Sequence, residues 1–358
     1  MPPRVAFWTS AFEPEMEAVA AEVAVLRRRF SGSVVWGLSH RHWFRLSPDR
    51  GWCVHPRLHL VFRAVTRMLE PAFDINHVFG SLGDWFYLEG RRRRPTVVTM
   101  AVFQPPVPLS LLRRVDRFVV EHPAGCEWLA TLGIDASRIR LIFPPVDLSR
   151  FRPTSPPSEP FTVLFASSPD RESWLAARGV PAILEAAALR PEMRFRLLWR
   201  PWGNSEKLVR QRIEHHALRN VELVVGRISD MAHEYRRAHV TVAPFTVRER
   251  SKPAPNSLIE SLACGRPVLL SDVVGLADMI EEGGAGVVSS ATGEALADGL
   301  DRLRTDWAAY SARARELAER WFDVNVFCER YARLYAELGT DTTRLITARE
   351  DHSCRRSS

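Results

Sequence analysis

Between Arg248 and Pro267 the chain reads R-E-R-S-K-P-A-P-N-S-L-I-E-S-L-A-C-G-R-P, a loop that becomes a short helix and then turns sharply. Pro253 and Pro255 keep the approach extended, because each ring fixes φ and restricts the residue before it. The spacing predicts a helix from Ser257 to Ala263 that ends at Gly265 and Pro267. Asn256 or Ser257 is expected to offer a side-chain oxygen to its first amides. A helix N-terminus attracts anions, since its unpaired N–H groups point at whatever lies in front. Arg248, Arg250 and Lys252 precede it, and Glu260 sits about one turn in, too far along to act as a cap. Amides for phosphate, cations for its charge and one carboxylate for hydroxyls suit a sugar-nucleotide diphosphate. An ordinary capped surface helix with solvated arginines would use the same residues, so this stretch alone leaves both readings open.

The elements around it alternate. Arg4–Ser10 reads as a buried strand, Met16–Phe30 as a helix with Val19, Val23 and Leu26 on one stripe, and Ser33–Leu38 as the next strand. That order is the βαβ unit of a parallel doubly wound sheet. Strands follow at 74–79, 96–100 and 117–120. A second alternation starts at 161, with strands at 161–166, 195–199, 221–225 and 240–243. The fold class expected is therefore α/β, two doubly wound Rossmann-like domains facing across a cleft, where the carboxyl ends of the strands bind ligands. The expected division is 1–153 for an acceptor-binding domain and 154–160 (T-S-P-P-S-E-P) for a linker. A donor-binding domain follows at 161–322, a helix crossing back to the first domain at 323–338, and a disordered tail at 339–358. In Arg57–Glu70, Leu58, Val61, Val65 and Met68 share a stripe with Arg57, Arg63 and Arg67 off it. A core-packed helix is expected there in preference to a membrane-surface one.

Composition narrows the class. The 358 residues are 46% hydrophobic and 25% charged, with a net charge of +7. No apolar run is long enough to span a bilayer. Five scattered cysteines without a C-x-x-C pair point to free thiols and a cytoplasmic setting. Residues 1–150 carry 20 arginines against 14 acidic residues, while the rest hold 29 basic against 28 acidic. The first half is therefore expected to face something anionic or a membrane, such as a lipid-linked glycan acceptor or the inner face of a membrane; the run Arg91–Arg94 reads as a solvated loop that would also serve as a headgroup contact. No nucleic-acid module is visible.

The stretch S-L-I-E-S-L-A-C-G-R-P-V-L-L-S-D-V-V-G-L-A-D-M-I (257–280) resembles the retaining glycosyltransferases of family 4, which have the GT-B fold. Three further segments are similar to that family in the same order: I-R-L-I-F-P-P-V-D-L-S-R-F-R-P (139–153), R-G-V-P-A-I-L-E-A (178–186) and N-V-E-L-V-V-G-R-I-S-D (220–230). The resemblance implies that Glu260 holds the nucleotide ribose and that amides near Asn256 and Ser257 hold sugar or diphosphate. It places Arg178 near the family's phosphate-binding lysine, lines the base with Gly226, Arg227 and Ile228, and adds Arg200 after a strand end. Where the family carries an earlier glutamate this chain has Lys252. Ser167 takes the place of an arginine in the donor site, Ala101 that of a histidine, and Glu13-Pro14-Glu15 that of a glycine pair. Only two residues in the chain, Lys207 and Lys252, are lysine. Lys252, with Arg248 or Arg250, is therefore expected to supply charge to the diphosphate, and Lys252 and Arg178 to stabilise the leaving group.

The implied reaction moves a sugar from a UDP- or GDP-sugar to a glycan, lipid-linked or small-molecule acceptor, with retention, no cofactor and no metal. A non-catalytic homologue that binds a nucleotide sugar or a partner protein is the alternative, and an epimerase using Glu13, Glu15 or Asp84 a more distant one.

Overall fold

The computed structural model describes residues 2–9, 12–14, 17–38, 42–46, 51–80, 87–88, 93–101, 109–201, 203–248 and 252–354, with the backbone alone from 340. Glu15, Asp84, Arg91, Arg92 and Arg250 lie outside them. The chain forms two compact units, one of residues 1–143 with 325–358 and one of residues 144–324.

The first unit contains β1 (Val5–Thr9), α1 (Ala18–Arg29), β2 (Val34–Leu38), β3 (Phe44–Leu46), β4 (Gly51–Val54), α2 (His59–Leu69), β5 (Ile75–Gly80), β6 (Thr96–Met100), α3 (Leu109–Leu112), β7 (Arg117–Val120), α4 (Pro123–Thr131) and β8 (Ile139–Leu141). The strands lie in the order β3-β4-β2-β1-β5-β6-β7-β8, parallel except for β3. β1, β5 and β6 are buried along their whole length; β1 is apolar up to its final Thr9, while β5 and β6 also bury Asn76, His77, Thr96 and Thr99. Trp8 and Trp36 meet edge to face at 4.6 Å between centroids across β1 and β2.

The second unit contains β9 (Thr162–Phe165), α5 (Ser173–Ala177), α6 (Val180–Leu189), β10 (Arg194–Trp199), α7 (Ser205–His215), β11 (Val221–Val225), α8 (Met231–Arg237), β12 (Val240–Ala243), α9 (Asn256–Ala263), β13 (Val268–Leu270), α10 (Ala277–Gly283), β14 (Gly286–Val288), α11 (Gly293–Thr305) and α12 (Trp307–Trp321). Its sheet is parallel throughout, in the order β11-β10-β9-β12-β13-β14. β10 and β11 extend it on one side of β9, and β12 to β14 on the other. The loops leaving β9 and β12 therefore stand at the switch point where ligands settle in such sheets.

Three expectations about where segments begin and end meet a different structure. Residues 144–153 go with the second unit rather than the first, because Val146 bridges Asp323 and bonds the backbone of Phe322 and Val324 at 2.7 and 3.1 Å. The stretch expected as a linker is held to that unit as well. The buried Arg266 guanidinium donates to Thr154 Oγ1, the Ser155 carbonyl and the Arg236 carbonyl at 3.0–3.1 Å and lies over the Trp307 ring. The last helix, α13 (Val324–Cys354), runs on through residues expected to lack order, as a helix does once a nucleated turn gains one bond per added residue.

From Asn325 onward α13 belongs to the first unit and docks there through buried tyrosines. The Tyr335 hydroxyl meets His77 Nδ1 at 2.5 Å, Tyr331 meets Thr99 Oγ1 at 2.7 Å, and His77 Nε2 meets the same Thr99 hydroxyl at 2.7 Å. Burial holds His77 neutral, well below its ordinary pKa.

The stripe on α2 is not packed into the core. Only Phe62 and Thr66 of that helix are buried, while Val61, Val65 and Met68 face solvent, as does Leu58 just before it. Amphipathic spacing identifies a helix and its two faces, and says nothing of whether a neighbour covers the apolar one.

Candidate functional site

The site is assembled on the carboxyl side of the second sheet. After β12 the chain runs through Pro244, Phe245 and Thr246 against the turn that follows α5. Thr246 N donates to the Ala177 carbonyl at 3.0 Å and its hydroxyl to that of Ala176 at 3.2 Å. Gly179 permits this approach: its φ is +69°, and a Cβ there would stand 1.9 Å from the Pro244 carbonyl oxygen. Arg178, the preceding residue, lays its guanidinium 4.7 Å from the centre of the Phe245 ring, and burial lowers its pKa to about 10. Phe245 is fixed in turn, since its carbonyl accepts the Ser271 hydroxyl at 2.5 Å.

The same loop ends in α9. The cap position is Pro255, with φ −63° and ψ 127°, and no side chain caps the helix. This corrects the expectation for Asn256 and Ser257, which are instead the first two helical residues. Proline at the cap has no side-chain acceptor to offer, so the first amides are left without a side-chain partner. Leu258 and Ile259 bond back to the Pro255 carbonyl at 3.0 and 3.3 Å. The Asn256 side-chain oxygen is taken by Lys252, whose Nζ donates to it at 2.8 Å.

Glu260 lies one turn further in and is partly enclosed. Burial pushes its carboxyl up to about 7, against a hydrogen bond from Tyr235 and the charges of Arg150, Arg200 and Lys252, which all pull it down. Tyr235, fully buried on α8, is held well above the usual phenol range by burial and by Glu260, so it remains a donor. Arg150 arrives from a turn in which Asp147 Oδ1 accepts the Ser149 amide and hydroxyl at 2.9 and 2.6 Å. Phe151, the next residue, packs its ring 6.1 Å from that of Tyr235.

Arg200 follows β10, with its amide donating to Ser168 Oγ at 3.1 Å beside Ser167. Gly226 follows β11 with φ +148° and donates to the Trp199 carbonyl at 2.9 Å. A Cβ on it would meet nothing within 4 Å. Arg227 is exposed and Ile228 half-buried at the end of that edge strand.

The structure thus gathers Glu260, Lys252, Asn256 and Arg200 around one helix start and joins Arg178 to the same loop through Phe245. Ser167, Gly226, Arg227 and Ile228 stand at neighbouring strand ends. Tyr235 and Arg150 were not anticipated. Tyr235 lies in an ordinary helical run, and nothing local marks it as the partner of a glutamate 25 positions on. Arg150 does lie inside a stretch that carries the resemblance.

Residues 162–306 match the family model described as "Glycosyl transferases group 1". The chain carries a group 1 glycosyltransferase domain. This glycosyltransferase domain contains the whole cluster above except Arg150. Across more of the chain, it is 26% identical over 339 residues to a D-inositol 3-phosphate glycosyltransferase of Thermomonospora curvata, covering 86% of this chain and 69% of that one. Among solved structures, Anabaena HepE in complex with UDP is similar at a TM-score of 0.75 and 15% identity, covering 93% of this chain and 100% of that one. The sucrose-phosphate synthase of Thermosynechococcus elongatus is similar at 0.74 and 16%, over 94% and 100%. Both share the two parallel-sheet domains of GT-B glycosyltransferases, which is the fold of this chain.

Proposed function

We propose that this glycosyltransferase moves a sugar, with retention of configuration as in family 4, from a nucleotide-diphosphate donor to a glycan, lipid-linked or small-molecule acceptor. The first unit would hold the acceptor. The observation that carries the reading is a helix start with no side-chain cap and with Glu260 one turn in, a carboxylate that feels the positive charges of Arg150, Arg200 and Lys252. Anabaena HepE, which shares the fold, holds UDP in one crystal structure and UDP-glucose in another. In the reaction the bond from the anomeric carbon to the diphosphate oxygen breaks and the acceptor oxygen takes its place. The acceptor's hydroxyl proton leaves with the diphosphate or to water. Amides at Asn256 and Ser257, with Lys252 and Arg178, would stabilise the departing diphosphate, and Glu260 would accept from the ribose hydroxyls. Ser167, Arg200 and the turn Gly226-Arg227-Ile228 would complete the donor site, with no cofactor or metal.

Incubation with a panel of UDP- and GDP-sugars, read by mass spectrometry, is expected to show hydrolysis or transfer with at least one donor. Donor binding without either would favour a non-catalytic role. Lys252→Ala is expected to weaken donor affinity about tenfold or more, the usual cost of a lost charge-assisted hydrogen bond. Calorimetric titration of both proteins with the same nucleotide checks it, and equal affinity would remove Lys252 from the account.

A further inference from the structure

The apolar side of α2 points away from the protein. Phe62 anchors the helix, with its ring 6.4 Å from that of Trp8 in the core, and Thr66 turns its hydroxyl back to the Phe62 carbonyl at 2.8 Å. Around the rest of the helix Leu60 is 66% exposed, Val61 64% and Met68 80%. The edge strand β3 adds Trp43 and Phe44, which are 60% and 65% exposed. Trp43 packs against His55 at 4.7 Å between centroids, just before the turn Pro56–Leu58 that leads into α2. The Trp43–His55 contact therefore brings the start of β3 close to the entry of α2, although β4 lies between them in the chain.

Single exposed apolar residues are ordinary on a protein surface, whereas a concentration of them marks a contact. Nine of the twelve large apolar side chains exposed among the described residues fall between 43 and 69. The same segment contains Arg45, Arg50, Arg57, Arg63 and Arg67 against one acid, Asp49. On α2, Arg63 and Arg67 follow one edge of the apolar arc.

We propose that α2, with Trp43 and Phe44 at β3, seats the protein on the surface of an anionic lipid bilayer. α2 would lie in the headgroup plane, with Leu60, Val61 and Met68 reaching the acyl boundary and Trp43 beside them. A helix of this form, apolar on one broad side with arginines along its edge, lies in an interface and does not cross it. No described helix is long and apolar enough to span a membrane. Charge selects the occupant: a second copy would set two groups of arginines face to face, whereas anionic headgroups satisfy the arginines and the acyl boundary satisfies the apolar side chains. The proposal does not depend on sugar transfer, because docking is read without donor or turnover.

The test is sedimentation of the full chain with vesicles of phosphatidylcholine alone and of phosphatidylcholine with phosphatidylglycerol. The comparison protein carries Val61→Glu and Met68→Glu, two exposed positions at which circular dichroism should show an unchanged fold. Retention is expected on the phosphatidylglycerol vesicles, weakening as salt is raised, and at least about tenfold less retention of the double variant. Brominated lipid should quench the wild-type tryptophan emission more than that of Trp43→Phe. The proposal is overturned by no retention on anionic vesicles at low salt, or by equal retention of the double variant. It is equally overturned by a dimer that the double variant dissociates while vesicles retain neither protein.

Discussion

Glu260→Gln is expected to stabilise the second unit near pH 8 while lowering its affinity for a nucleotide donor. The carboxyl has an ordinary pKa of 4.5 and is raised to about 7 in the fold. Between those values the folded chain holds a proton that the unfolded chain has released, so stability falls as pH rises through the window. Above pH 7 the full cost is present. A shift of this size, discounted for a partly enclosed side chain, amounts to about 1–3 kcal/mol. The amide carries no charge and removes that cost. The same substitution replaces an anionic acceptor for two ribose hydroxyls with a weaker neutral one, worth about tenfold to a hundredfold in donor affinity. Urea unfolding at about pH 4 and about pH 8 separates the terms, because the gain should vanish at the lower value, where both states are protonated. Wild-type donor affinity should decline as pH falls through 7, while that of the variant stays flat. An equal stability change at both pH values would mean that Glu260 does not titrate as burial dictates.

The second large effect belongs to Gly179→Ala. The alanine would have to keep φ near +69° and place its methyl 1.9 Å from the Pro244 carbonyl oxygen. Neither neighbour yields easily, since Pro244 directly follows β12 and Phe245 is bonded to Ser271. Left-handed strain and backbone overlap together predict a loss of about 2–4 kcal/mol. Any relief separates the two loops and moves Arg178 off Phe245, so donor affinity should fall as well. Gly133 provides the control: its φ is +77°, yet a Cβ there meets nothing within 4 Å. Gly133→Ala should cost only about 1–2 kcal/mol, the conformational part alone. Denaturant midpoints of the two variants decide the matter, and equal losses would remove the Pro244 contact from the explanation.

These expectations also mark what the sequence revealed. Central parallel strands were legible because burial on both sides favours apolar and β-branched residues, as in β1 and β6. β3 was not legible, since Phe44, Arg45 and Leu46 are all exposed and its pairing with β4 leaves no local signature. The start of α9 just after Pro253 and Pro255, with Lys252 close by, was legible from the same short stretch. Its cap was misread by one residue, the usual uncertainty of helix ends. Tyr235 and Arg150 reach Glu260 through tertiary packing, which spacing along the chain does not encode. The outward face of α2 shows the same limit: periodicity predicted the helix, and only the fold showed which side lacked a cover.

The central claim is that a diphosphate binds at the first turn of α9. A crystal structure of the chain with UDP tests it most directly. The account predicts phosphate oxygens about 3 Å from the amides of Asn256 and Ser257, Lys252 beside them and the ribose on Glu260. A nucleotide bound elsewhere on the unit, or ordered UDP with those amides facing water, would contradict it.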